Sequence, residues 1–108
     1  MDIKRIKFER TGGFAGIRLA ADFELEDLPG DQAEQLQELL DDMDFLELPE
    51  HLVSERTIPD SFTYYIEVKY EESQHTVTTT DGAAPQKMEP LLDLLNRIAR
   101  QRAQRRQS

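Results

Sequence analysis

Side chains able to do acid–base or nucleophilic chemistry are few in this 108-residue chain and poorly grouped. It has no cysteine, so a disulfide framework, a thiolate metal site and a thiolate nucleophile are excluded. The two histidines, His51 and His75, fall in a loop and on a strand respectively, and both read as ordinary surface or edge residues. Ser54, Ser61 and Ser73 stand in turn-like contexts, where serine needs no catalytic explanation. No glycine-rich phosphate loop with its lysine is present, and no His-Glu-x-x-His. Asp41-Asp42-x-Asp44 offers clustered oxygen ligands, but Leu46 stands where a calcium loop needs its glycine, so the run reads as a solvated acidic helix end. The sequence therefore points away from an enzyme and asks for no cofactor or resident metal.

The distinctive residues are Arg10-Thr11-Gly12-Gly13-Phe14-Ala15-Gly16-Ile17. Adjacent glycines tolerate positive φ, so Gly12-Gly13 reads as a tight hairpin turn between two strands. Phe14 follows at once, and Gly16 removes a side chain from the same strand face two residues later. A large apolar group beside bare backbone is either a packing device or a docking surface. Residue chemistry leaves both open.

Charge is divided along the chain. The net charge is −9, yet residues 1–18 carry five basic groups against Asp2 and Glu9. Residues 22–60 carry fourteen acids against Arg56 alone, and the last twelve residues hold five arginines and no acid. An acidic body repels phosphate backbones, so no nucleic-acid partner is expected. The acids serve solubility or steer a cationic partner. The terminal arginines are able to track phosphates or to fold back onto the acidic helix. No uncharged stretch approaches membrane-spanning length, and no apolar segment follows the first charges, so the expected setting is cytoplasmic, with no membrane partner.

The elements that must position these residues follow from periodicity. Ile6 and Phe8 share one face of a first strand. Ala15, Ile17, Leu19, Ala21 and Phe23 share one face of a second, opposite Arg18 and Asp22. Leu28-Pro29-Gly30 breaks the chain, and Asp31 with Glu34 resembles a capping box. Ala33, Leu36, Leu39, Leu40 and Met43 then fit an amphipathic helix over about residues 31–43. From Glu50 to Ser61 the pattern lapses into a loop long enough to raise the suspicion of function.

Phe62, Tyr64, Ile66, Val68 and Tyr70 alternate along a third strand, which turns at Glu72-Ser73 and returns over His75–Thr80. Met88, Leu91, Leu92, Leu95, Ile98 and Ala99 describe a second helix beginning near Lys87, with Pro90 tolerated in its first turn. The expected fold is α+β: a four-stranded antiparallel sheet from two β-hairpins, order ββαββα, with two helices packed on one face. One domain is expected over residues 1–98, with an Arg-rich helix end over residues 99–108 that frays beyond Gln104. Arg5, Lys7, Arg18, Tyr65, Glu67 and Lys69 should face water from the other side of the sheet.

Arg10-Thr11-Gly12-Gly13-Phe14-Ala15-Gly16-Ile17-Arg18 resembles the hallmark of emfourin-type proteins, small bacterial protein inhibitors of thermolysin-like zinc metallopeptidases. The likeness continues through Leu39-Leu40, Phe45-x-x-Leu48-Pro49, Phe62-x-Tyr64-x-Ile66-x-Val68, His75-Thr76-Val77 and Pro90-Leu91-Leu92-Asp93-Leu94-Leu95, covering about residues 3–98. The resemblance implies a cytoplasmic protein without catalysis of its own, whose partner is a zinc metallopeptidase. An interaction module with a non-protease partner is the alternative, and a monomer is expected in either case.

No residue-level map comes with the resemblance, so docking candidates rest on the residues themselves. Gly12, Gly13 and Phe14 form the expected hairpin tip, where Phe14 suits a hydrophobic subsite or, alternatively, the core. In the Ser54–Ser61 loop, Glu55 or Asp60 offers a carboxylate to the enzyme's zinc, although for Asp60 a turn-capping place after Pro59 is the favoured reading.

Overall fold

The computed structural model describes residues 3–12, 18–52, 62–80 and 83–107, with side chains as far as residue 103. Strands β1 (Ile3–Gly12) and β2 (Leu19–Glu24) precede helix α1 (Gly30–Asp42). Strands β3 (His51–Leu52), β4 (Phe62–Tyr70) and β5 (Gln74–Thr80) precede helix α2 (Glu89–Gln107). The sheet order is β2-β1-β4-β5-β3, antiparallel throughout except for β3, which runs parallel to β5.

The expected four-stranded antiparallel sheet is therefore a mixed sheet of five. The added strand is two residues long, too short to show any period. Tertiary hydrogen bonds hold it instead: Thr79 Oγ1 donates to the Leu52 carbonyl at 2.8 Å, and the Thr78 amide donates to the Glu50 carbonyl at 2.7 Å. Just upstream, His75 Nε2 donates to the Leu48 carbonyl at 2.7 Å, and its ring meets Phe45 edge-on at 5.6 Å. His75 is thus a tether, and Nε2 must carry the proton because a carbonyl only accepts.

Alternation places one face of every long strand in the core. Ile6, Phe8, Phe23, Ile66, Val68 and Val77 are at most 1% exposed. Ile3 breaks the period yet is buried, because the β1–β4 register shifts between Ile3 and Arg5 and the resulting bulge rotates Ile3 inward. Both helices cover this face and share its apolar cluster through Leu36 and Leu40 of α1, Met43 at the C-cap of α1, and Leu91, Leu95 and Ile98 of α2. On α2, Pro90 is the second residue, where its missing N–H removes no helical bond. A 3-10 turn at Gln86–Met88 leads into it. The helix runs unbroken past residue 98 to Gln107, and Ala99 is fully buried.

Three local expectations are corrected. Asp31 does not cap α1: Pro29 stands at the N-cap, its carbonyl accepts from Ala33, and Asp31 lies in the first turn, where its charge suits the helix dipole. The β4–β5 turn centres on Glu71-Glu72, since the Tyr70 amide donates to the Ser73 carbonyl at 2.8 Å. The β1–β2 register does not close at Gly12-Gly13, since the described pairing ends at Arg10↔Leu19 while Gly12 pairs with Phe62 of β4; Gly13 itself lies outside the described residues. Gly12 has φ 100°, a conformation that disfavours any side chain, so its glycine requirement belongs to the strand end.

The acidic run at the end of α1 also finds a use. Asp44 adopts the left-handed conformation at φ 50° and turns the chain from α1 into the 3-10 turn at Phe45–Glu47. Aspartate tolerates that geometry better than most residues.

Two variants test this architecture by urea unfolding. Phe8→Ala should cost about 3–5 kcal/mol, and a loss below about 1 kcal/mol would contradict its central place. Gly12→Ala should cost about 1 kcal/mol through backbone strain alone, whereas an unchanged midpoint would contradict the positive φ.

Candidate docking site

The polar face of the sheet is the first place to look for a site, and it satisfies itself. Arg5 Nε bonds Asp22 Oδ1 at 2.7 Å, Arg18 Nε approaches Glu9 Oε1 at 2.9 Å, and Lys4 Nζ reaches Glu71 Oε1 at 3.2 Å. Tyr65 donates to Glu67 Oε2 at 2.9 Å. The hydrogen bond from Arg5 holds the Asp22 carboxyl below its ordinary range, and the bond to Glu67 pushes the Tyr65 phenol up. A shallow depression of about 220 Å³ lies among Arg5, Lys7, Asp22, Glu67 and Lys69, with cations and acids interleaved. Exposed pairs of this kind contribute at most about 1 kcal/mol each. The face, as expected from the sequence, is a solvated charge ladder.

Acid–base and metal chemistry find no better footing. His51 pairs across from Thr78 and His75 from Val68, so they occupy separate places in the sheet, and the His75 ring is already engaged. Among the described residues, no three of His, Cys, Asp or Glu gather where they could hold a metal ion. No ion pair joins the exposed acids of α1 to the arginines of α2 among the described residues. Arg97 and Arg100 are exposed, and Arg102 lies with its guanidinium carbon 5.5 Å from the Phe23 ring. No described helix is long and apolar enough to cross a membrane.

One end of the sheet is different. Gly12, the last residue of β1, pairs with Phe62, the first residue of β4. Thr63 of β4 pairs with Thr80 near the end of β5, and Leu52 at the end of β3 pairs with Thr79. Antiparallel pairing of β1, β4 and β5 with parallel pairing of β3 on β5 thus brings the residues flanking 13–17 and 53–61 to the same end of the sheet. Of the residues singled out from the sequence, Gly12 is placed there; Gly13, Phe14, Glu55 and Asp60 lie outside the described residues. The register nonetheless ties both expected docking segments to neighbouring strands, a relation that sequence spacing alone could not supply.

Arg10 is the residue sequence reading passed over. Strand alternation carries its side chain to the helix-covered face, above its cross-strand neighbours Tyr64 and Leu19. Its guanidinium carbon sits 4.4 Å from the centre of the Phe62 ring, and Nη1 donates to Asn96 Oδ1 of α2 at 3.2 Å. Phe62 continues into an aromatic row with Tyr64 and Phe8, centroids 6.4 Å apart at each step. A cation over an aromatic face is worth about 0.5–2 kcal/mol. Against that, the buried Nε–H of Arg10 has no hydrogen-bond partner among the described residues, which costs about 1–3 kcal/mol. The signal in the sequence was a basic residue on the apolar phase of β1, two positions beyond Phe8.

Comparison with known proteins agrees with the residue pattern. The Emfourin family model matches residues 8–96. No curated protein matches the chain significantly. Among solved structures, emfourin (M4in) from Serratia proteamaculans, an M4 family peptidase inhibitor, aligns with 23% identity over 87% of either chain at a TM-score of 0.45. Since the family model spans most of the length, from Phe8 in β1 to Asn96 in α2, the chain belongs to the Emfourin family.

Proposed function

We propose that this protein inhibits a thermolysin-like zinc metallopeptidase by docking the loop-bearing end of its sheet into the active-site cleft. Family membership supports the activity, and one structural observation supports the location: Gly12 and Phe62 are cross-strand partners, so both candidate segments depart from the same end. An inhibitor must fill a cleft without being cut, which favours segments whose flanking residues are held in paired strands, as Gly12 and Phe62 are. In this reading the protein is no enzyme, and the zinc involved belongs to the partner.

Within that location, Phe14 is the aromatic anchor for a hydrophobic subsite, next in sequence after the Gly12-Gly13 pair. Glu55 or Asp60 supplies a hard oxygen toward the partner's zinc. The net charge of −9 steers encounters toward a basic cleft rim. Monomeric action in the cytoplasm, beside a peptidase made by the same cell, completes the proposal.

Titrating the protein into thermolysin with a quenched peptide substrate tests this directly. Hydrolysis should fall to near zero at stoichiometric inhibitor, and unchanged hydrolysis would overturn the function. Phe14→Ala should weaken inhibition by about tenfold or more, the effect expected of a buried aromatic anchor. Full inhibition by that variant would remove Phe14 from the site.

A further inference from the structure

We propose that Arg10 is the positioning residue of the docking end, retained for binding rather than for the fold; this rests on the inhibitor reading above. Among the described residues of the sheet's inner face, Arg10 is the charged one; its neighbours there, Phe8, Tyr64 and Ile66, are apolar and buried. No carboxylate pairs with it among the described residues; Asn96 Oδ1 and the Phe62 ring are its partners. An arginine so placed, with its Nε–H buried and unbonded, is a poor choice for stability alone. An apolar side chain of the same length would fill the space without the orphaned donor.

What the guanidinium provides is a three-way link. It leaves β1 two residues before Gly12, stacks on the first residue of β4 and hydrogen-bonds α2. Phe62 is the residue at which the 53–61 segment enters the sheet, and Gly12 is the residue from which the Gly13–Phe14 segment leaves it. Because Gly12 carries no side chain, Arg10 supplies the contact that fixes the Phe62 ring from the β1 side. The planar fork both stacks and donates at fixed angles, which a flexible ammonium does not. Arg10 therefore fixes the strand ends at Gly12 and Phe62 and acts on the peptidase through the segments that continue from them.

Inhibition constants against thermolysin, measured beside thermal unfolding for wild type, R10M and R10K, test the assignment. R10M should unfold at the wild-type temperature or above while inhibiting about tenfold less tightly. R10K should recover part of the loss, because an ammonium still sits over the Phe62 ring but cannot reproduce the fork. Folded R10M with wild-type inhibition would overturn the proposal. Should R10M lose its fold, R10K decides: folded with weakened inhibition supports the role, and folded with unchanged inhibition overturns it. A wild-type chain that leaves thermolysin active is a failure of the inhibitor reading itself, seen before any variant is compared, and the role of Arg10 falls with it.

Discussion

The pairing of β1 with β4 is the constraint on which the rest of the molecule depends. It is the long central ladder, running from Ile3↔Tyr70 to Gly12↔Phe62; β2 attaches to β1, β5 attaches to β4, and β3 joins through β5. Its register decides which side chains enter the core. A slip of β1 by one residue against β4 would turn Ile6 and Phe8 out to water together, while Ile66 and Val68 kept their place in the core. Burying a side chain such as Phe8 or Ile66 is worth about 1.5–3 kcal/mol, so the register is strongly enforced. The same register fixes what lies beside what at the loop-bearing end. Core packing and the candidate site are thus two consequences of one set of hydrogen bonds.

That coupling also explains why the two ends of the sheet differ in character. Away from the Gly12–Phe62 end, polar groups on the sheet are matched, as with Arg5 and Asp22. At that end a cation stands on the apolar side of the sheet, a backbone adopts positive φ, and a buried donor goes unbonded. Local rules broken without a gain in stability are characteristic of binding sites. In a chain with no catalytic grouping among its described residues, such departures are the physical basis for placing the contact surface.

Much of the fold was legible in the sequence, for physical reasons that vary by element. Phe62 to Tyr70 alternates without interruption, and the structure follows it residue by residue. Leu36 and Leu40 likewise mark the buried stripe of α1, with Met43 buried at its C-cap, and Pro90 falls in the first turn of α2 as expected, although the helix begins at Glu89 and a 3-10 turn takes in Lys87. What was not legible depends on distant partners. His51–Leu52 becomes a strand only because β5 offers Thr78 and Thr79. Pro29 displaces Asp31 as the cap because its carbonyl, not a side chain, accepts the first intrahelical bond, from the Ala33 amide. The glycine pair suggested a two-residue turn from local chemistry, whereas Gly12 pairs with Phe62 of β4 and the described β1–β2 ladder ends at Arg10↔Leu19. Of the candidate site, the residue types were visible and their convergence was not. The role of Arg10 was hidden because a basic residue near a strand end ordinarily reads as solvent-facing.

The central claim is that the loop-bearing end, and no other, meets the peptidase. Because the chain lacks cysteine, a single introduced thiol can carry a bulky maleimide without ambiguity. Arg18 is exposed beside the first residue of β2 at the loop-bearing end, and Glu71 is exposed in the β4–β5 turn at the opposite end. Inhibition of thermolysin by labelled R18C and E71C is therefore the most direct measurement. The account predicts that the label at position 18 abolishes inhibition and the label at position 71 leaves it intact. Inhibition that survives at position 18 and is lost at position 71 would contradict it.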